Sequence, residues 1–199
     1  MFDHDITPVA EMDSNARQIA LGLRQGNTVV LGTLVEQYQY RLIRYLIYLL
    51  GRRDGVDDLV QETWLRVLER GSSYDGHSRF EPWLFTISRN IAMDSMRKRR
   101  MSSLDTEDAD GGSRPLAPAS EAASPFTLAA RTEDAERLAA GLQALEPIYR
   151  EALVLRFQEE LSLQEISMVT GAPVPTVASR IYRGLATMRT QLGEQHHES

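Results

Sequence analysis

Apolar residues recur at threes and fours along most of this chain. Helical spacing begins near Ala16, pauses at Gly26 and Asn27, and resumes strongly. Val30, Leu31, Leu34, Val35, Tyr38, Leu42, Tyr45, Leu46 and Leu49 then run to Gly51. A stripe of that width is the buried face of a bundle helix, and its aromatic and leucine content is packing. Asp54 is placed to cap the next helix, in which Val56, Leu59, Val60, Trp64, Val67 and Leu68 face inward. The stretch GSSYDGHSRFEP reads as a loop. Pro82 then fits the first turn of FEPWLFTISRNIAMDSMRKRR, with Phe80, Trp83, Leu84, Ile87 and Ile91 on the buried side. No β alternation or internal repeat stands out, so the pattern predicts an all-α fold.

Between about Met101 and Arg131 the period is lost. Pro, Gly, Ser, Ala and acids without spacing describe a flexible, self-repelling linker. A second helical set follows, with Leu138, Leu142 and Leu145 as one stripe. Pro147 opens the next helix, which Ala152, Leu153, Leu155, Arg156 and Phe157 carry to a loop at Glu159 and Glu160. The chain then gives LSLQEISMVTGAPVPTVASRIYRGLATMRTQL. Ser162 and Glu165 form a capping box, and Gly171 suits a left-handed helix end. Pro175 opens a second helix with Val177, Ile181, Leu185, Met188 and Leu192 on one face. Its other face shows Thr176, Ser179, Arg180, Arg183 and Thr187, with no acid.

A short helix, a tight turn and a longer helix with a cationic outer face describe a DNA-reading helix-turn-helix. A helical hairpin with a merely solvated outer face has the same spacing. Two other polar faces are equally double. Asp57, Asp58, Gln61 and Glu62 begin a helix, where acids complement the dipole or dock a basic partner. Arg89, Met93, Arg97 and Arg100 share a side beside an aromatic-bearing loop, and Asp94 can orient Arg97. Phosphate neutralisation beside stacking surfaces is what single-stranded nucleic acid requires. A cationic helix end explains Arg97 to Arg100 without nucleic acid, though not Arg89.

The net charge of −6 over 199 residues argues against nucleic acid until its distribution is considered. Arg89 to Arg100 holds five cations against one acid, whereas Ser102 to Glu136 holds eight acids against two arginines. Separated blocks favour DNA contact at defined faces. The absence of cysteine excludes disulfides and suits a reducing cytoplasm. No apolar run approaches the ~20 residues of a membrane span, and the polar, acidic start is not a secretory signal. No phosphate loop, metal-ligand spacing or nucleophile elbow appears, and His196 and His197 sit in a polar tail. The expectation is therefore a binding protein, not an enzyme, with no cofactor and no metal.

DDLVQETWLRVL, FEPWLFTISRNIAMDSMRKRR and LSLQEISMVTGAPVPTVASRIYRGLATMR, in that order, resemble the extracytoplasmic-function sigma factors, the small two-domain promoter-specificity subunits of bacterial RNA polymerase. The resemblance implies two helical domains, 28–100 and 132–193, joined by an acidic linker at 101–131. A partly disordered segment, 1–27, and a tail, 194–199, flank them. It implies that Asp57, Asp58, Gln61 and Glu62 dock on the clamp helices of the polymerase's largest subunit. The loop from Gly71 to Arg79 and the helix from Trp83 to Arg100 would read and open the −10 element, through Arg79, Trp83, Arg89, Asn90, Arg97, Lys98 and Arg100. Thr176, Ser179, Arg180 and Arg183 would face the −35 element. Core RNA polymerase, promoter DNA and an anti-sigma factor are the implied partners. A sigma mimic that titrates an anti-sigma factor is the alternative, but a mimic has no use for Arg89, Asn90, Arg97, Arg180 and Arg183 together.

Overall fold

Asn27 starts the longest apolar stripe: its side-chain oxygen accepts from the backbone N–H of Val29 (3.0 Å) and Val30 (3.3 Å). In the computed structural model, which describes residues 9–104, 135 and 137–194, every regular element is helical. Helix α1 spans Val9–Arg24, α2 Thr28–Leu50, α3 Val56–Arg70 and α4 Phe80–Leu104. Helix α5 covers 137–144, and α6, Pro147–Leu153, runs on into a π turn, Val154–Gln158. Helices α7, Leu163–Thr170, and α8, Val174–Glu194, close the chain. The expectations for 1–8, for the linker from 105 to 131, for the start of the second domain at 132–134, for the tail with His196 and His197, and for the Leu192 side chain lie outside the described residues.

Helix α1 lies within the N-terminal segment. Ala16, Ile19, Ala20 and Leu23 are buried, and that stripe fixes α1 against α2 and the 3-10 turn Gly71–Ser73. Helix α3 starts on Gly55 at φ 73°, without a side-chain cap. Asp54 instead receives Arg52 (3.3 Å) and lies 3.8 Å from Arg99. Leu68, expected inside, is 52% exposed, because it falls at the edge of the buried arc that ends on Val67. Leu138 and Phe157 are also exposed.

The helix-turn-helix forms as its punctuation dictates. Ser162 Oγ accepts from the Glu165 N–H (3.2 Å), Glu165 Oε2 accepts from the Ser162 N–H (2.7 Å), and Gly171 ends α7 at φ 69°. Val177 and Met188 bury the inner face of α8.

The two helical groups are packed together. Helix α4 lies against α7, and α2 against α6. Tyr38, Leu42, Tyr45, Leu46 and Phe85 share one core with Leu155, Leu161, Ile166 and Val177. A smaller cluster of Leu142, Leu145, Leu153 and Met188 lies in the C-terminal group, with Tyr48 of α2 packed against it.

Candidate nucleic-acid interface

The acids of α3 stand where the apolar period leaves them. With Val56, Leu59, Val60, Thr63, Trp64 and Val67 buried, Asp57, Asp58, Gln61 and Glu62 are all exposed. Glu62 is 3.5 Å from Arg66 one turn on, and the exposed Leu65 lies beside them. The face is an acidic surface with an apolar margin.

Helix α4 divides into two kinds of cation. Toward its end Arg97, Lys98 and Arg100 are exposed, and Asp94 holds Arg97 at 3.0 Å as its spacing predicts. Asn90 is also exposed. Trp83 is half-buried, its ring tilted 44° to Tyr74 and 39° to Phe80 at centroid distances of 5.4 and 5.6 Å. These residues present hydrogen-bonding and cationic groups along one rod, with an aromatic cluster at its start.

Arg89, and Arg79 just before the helix, depart from that picture: each is only partly exposed and reaches acceptors of the C-terminal group. Arg89 Nε donates to Glu151 Oε1 at 2.7 Å, and its Nη2 to Oε2 at 3.4 Å. The same Oε1 accepts from the Tyr45 hydroxyl at 3.0 Å. Burial disfavours the Arg89 cation, but the bond and charge of Glu151 more than offset it and raise its pKa. Burial, then Glu151, push the Tyr45 phenol well above its usual range, so it stays protonated and donates. Arg79 reaches Glu81 (3.3 Å), Glu165 (3.8 Å) and the Glu160 carbonyl (3.5 Å).

A second cross-contact reinforces the first. Glu159, whose side chain is fully buried, accepts from Arg41 Nε (2.8 Å) and Arg44 Nη2 (3.0 Å). The Arg41 guanidinium also lies 5.0 Å from the Tyr38 ring centroid. Sequence reasoning missed Glu151, Glu159, Arg41 and Arg44, and it took Tyr45 as packing only. The one available signal was a pair of acids eight residues apart, Glu151 just before the apolar run ALVL and Glu159 four residues after it.

On α8, Thr176, Ser179 and Arg183 are exposed and Arg180 is half-buried. Their common side points away from the Val177 and Met188 core, so this surface remains open while the two groups are in contact. Among the described residues no cluster of His, Cys, Asp or Glu is arranged for a metal ion, and no helix is long and apolar enough to cross a membrane.

Comparison with known proteins separates the readings. The Sigma-70 region 2 family matches residues 34–101, and the Sigma-70 region 4 family matches 135–188. The chain is 34% identical to the ECF RNA polymerase sigma factor EcfG of Rhodopseudomonas palustris, covering 74% of this chain and 77% of that protein. It belongs to the extracytoplasmic-function sigma factors. It is also 29% identical to the sigma factor SigW of Bacillus subtilis, over 85% of this chain and 92% of the relative. Among solved structures, the sigma factor RpoE in complex with the anti-sigma factor NepR from Bartonella quintana shares the fold, at TM-score 0.69 and 24% identity, over 81% of this chain and 96% of the other. CnrH in complex with the cytosolic domain of CnrY matches at TM-score 0.62 and 26% identity, over 90% and 97%. The two matched regions of the sigma factor are the promoter-recognition and initiation parts of the family, and they fall on α2 to α4 and on α5 to α8.

Proposed function

We propose that this sigma factor joins core RNA polymerase through Asp57, Asp58, Gln61 and Glu62. It reads and opens the −10 element through Arg79, Trp83, Arg89, Asn90, Arg97, Lys98 and Arg100, and reads the −35 element through Thr176, Ser179, Arg180 and Arg183. The domains are 28–100 and 132–193, joined by 101–131. It acts in the cytoplasm and by binding, not by catalysis. The observation that carries this reading is the segregation of charge: exposed carboxylates gather on α3, guanidiniums on α4 and α8, each opposite a buried apolar face.

The arrangement of the two groups is a closed one. Arg89 cannot meet a phosphate while Glu151 holds it, so engagement of the −10 element requires the groups to part. An anti-sigma protein that favours the closed arrangement would keep the factor silent. Support for this partner is the closed packing itself and the likeness to RpoE, solved in complex with the anti-sigma factor NepR. Repeated purification from native cells that never recovers such a protein would count against it.

Energetics assign the remaining work to the polymerase. Opening about a dozen base pairs costs well over 10 kcal/mol at roughly 1.4 kcal/mol per step. Stacking of one extruded base returns only about 1–3 kcal/mol. The isolated chain therefore binds promoters weakly and does not melt them. Run-off transcription with core polymerase tests the function: discrete starts appear only when this chain is added. Tight, specific promoter binding by the chain alone, or no start with polymerase, overturns the reading.

A further inference from the structure

Resting on the reading that the loop from Gly71 to Arg79 engages the −10 element, we propose that α1 positions this loop, with Ala16 and Ala20 beneath Gly76 setting its height. Helix α1 precedes the region matched by the Sigma-70 region 2 family, which begins at residue 34.

The loop is built in two layers. Tyr74 and Gly76 point inward and are buried, whereas Ser72, Ser73, Asp75 and His77 are exposed. Tyr74 is wedged edge-on to Phe80 (5.4 Å, 78°), and its hydroxyl donates to the Ser78 carbonyl at 2.5 Å. Asp75 Oδ1 accepts from the His77 N–H at 2.9 Å, which fixes the outer turn. The exposed groups therefore have a defined orientation relative to one another.

Their height above the bundle is set from below. Gly76 has φ 73°, and a Cβ there would fall 2.9 Å from the Ala16 carbonyl oxygen and 3.0 Å from both the Arg17 Cα and the Ala20 Cβ. The loop backbone thus rests directly on the backbone of α1. Only glycine at 76 and a small residue at 20 permit that approach. The other end of the loop is seated likewise, since a Cβ on Gly71 would lie 3.0 Å from the Leu23 Cβ. Ala16, Ala20 and Leu23 are one face of α1, so a single helix supports both ends. A rigid seat matters because recognition of an extruded base depends on groups placed in advance, and a shift of about 1 Å is enough to lose it.

The test uses the full chain with core polymerase on two promoter panels, one substituted through the −10 element and one through the −35. Ala20→Leu forces a branched side chain under Gly76, and the milder Ala20→Gly leaves a gap there. The parent discriminates a wrong −10 base pair by about tenfold or more, and both variants reduce that ratio to about twofold at the positions the loop reads. Discrimination at −35 and the concentration for half-maximal polymerase assembly stay at parental values. Asp75→Ala with His77→Ala separates this proposal from the reading beneath it. If that pair flattens −10 discrimination while Ala20→Gly leaves it intact, the loop works without α1 and the proposal fails. If neither set alters it, the loop does not read the −10 element, and both fall. Equal losses on the two panels make α1 ordinary core and overturn the positioning role.

Discussion

Neutralising Glu151 should release the closed arrangement. In Glu151→Gln the carboxylate that receives Arg89 at 2.7 Å and Tyr45 at 3.0 Å becomes a neutral amide of the same shape. A bond to a charged group contributes about 1.5–3 kcal/mol, and a neutral one about 1 kcal/mol. Arg89 keeps partial access to water, so its loss belongs at the low end of that range. The Tyr45 bond survives in weaker form. The net cost is about 2 kcal/mol, a factor of about 30 in the closing equilibrium. Because the chain has no cysteine, dyes on cysteines introduced at the exposed Glu69 and Ala186 report domain separation by energy transfer. The expected result is a population of low transfer that is minor in the parent and dominant in the variant, with helical circular dichroism unchanged. In an Arg89→Gln background the same change should cost much less, since the partner is already gone. Equal shifts in both backgrounds, or no shift in either, would refute the role given to this ion pair.

Three further outcomes follow from the same geometry. Asp58→Arg reverses charge on the exposed α3 face and should weaken polymerase assembly on every template alike, with the fold intact; a titration of labelled factor with core enzyme measures it. Arg180→Ala should cost about 1–3 kcal/mol of −35 discrimination if its guanidinium pairs with a base edge, leaving −10 preferences untouched in run-off assays. Burial and then Glu151 raise the Tyr45 pKa, so its contribution is fully present below the ordinary tyrosine value of about 10 and is lost as pH rises beyond it. Energy transfer in the labelled parent should therefore fall above about pH 10, and Tyr45→Phe should flatten that dependence.

Legibility in the sequence followed the range of the interaction. The stripe of α2 and the punctuation of α7 are local, so the pause at Gly26 and Asn27 marked a break, and Ser162, Glu165 and Gly171 announced the helix ends they make. Asp54 misled because Gly55, at positive φ, carries the chain into α3 and turns that carboxylate toward Arg52. The exposed polar faces of α3 and α8 were legible as the remainder of amphipathic helices. The state of Arg89 was not. Its partner Glu151 lies 62 residues away, and Tyr45 is 106 residues from the same carboxylate. A buried acid in a single sequence has no period that reveals which distant cation will meet it. The seat of Gly76 on α1 was hidden for a related reason: an alanine in an apolar stripe looks like filler until another backbone is found against it.

The division between a polymerase-gripping face and two DNA-gripping faces is tested most directly by photocrosslinking in an assembled initiation complex. A photoreactive residue is placed in turn at Gln61, Asn90 and Ser179, all of which are exposed. The account predicts that position 61 attaches to the largest polymerase subunit, position 90 to the −10 region and position 179 to the −35 region of the same promoter. Attachment of position 61 to DNA, or of positions 90 and 179 to protein alone, would contradict it.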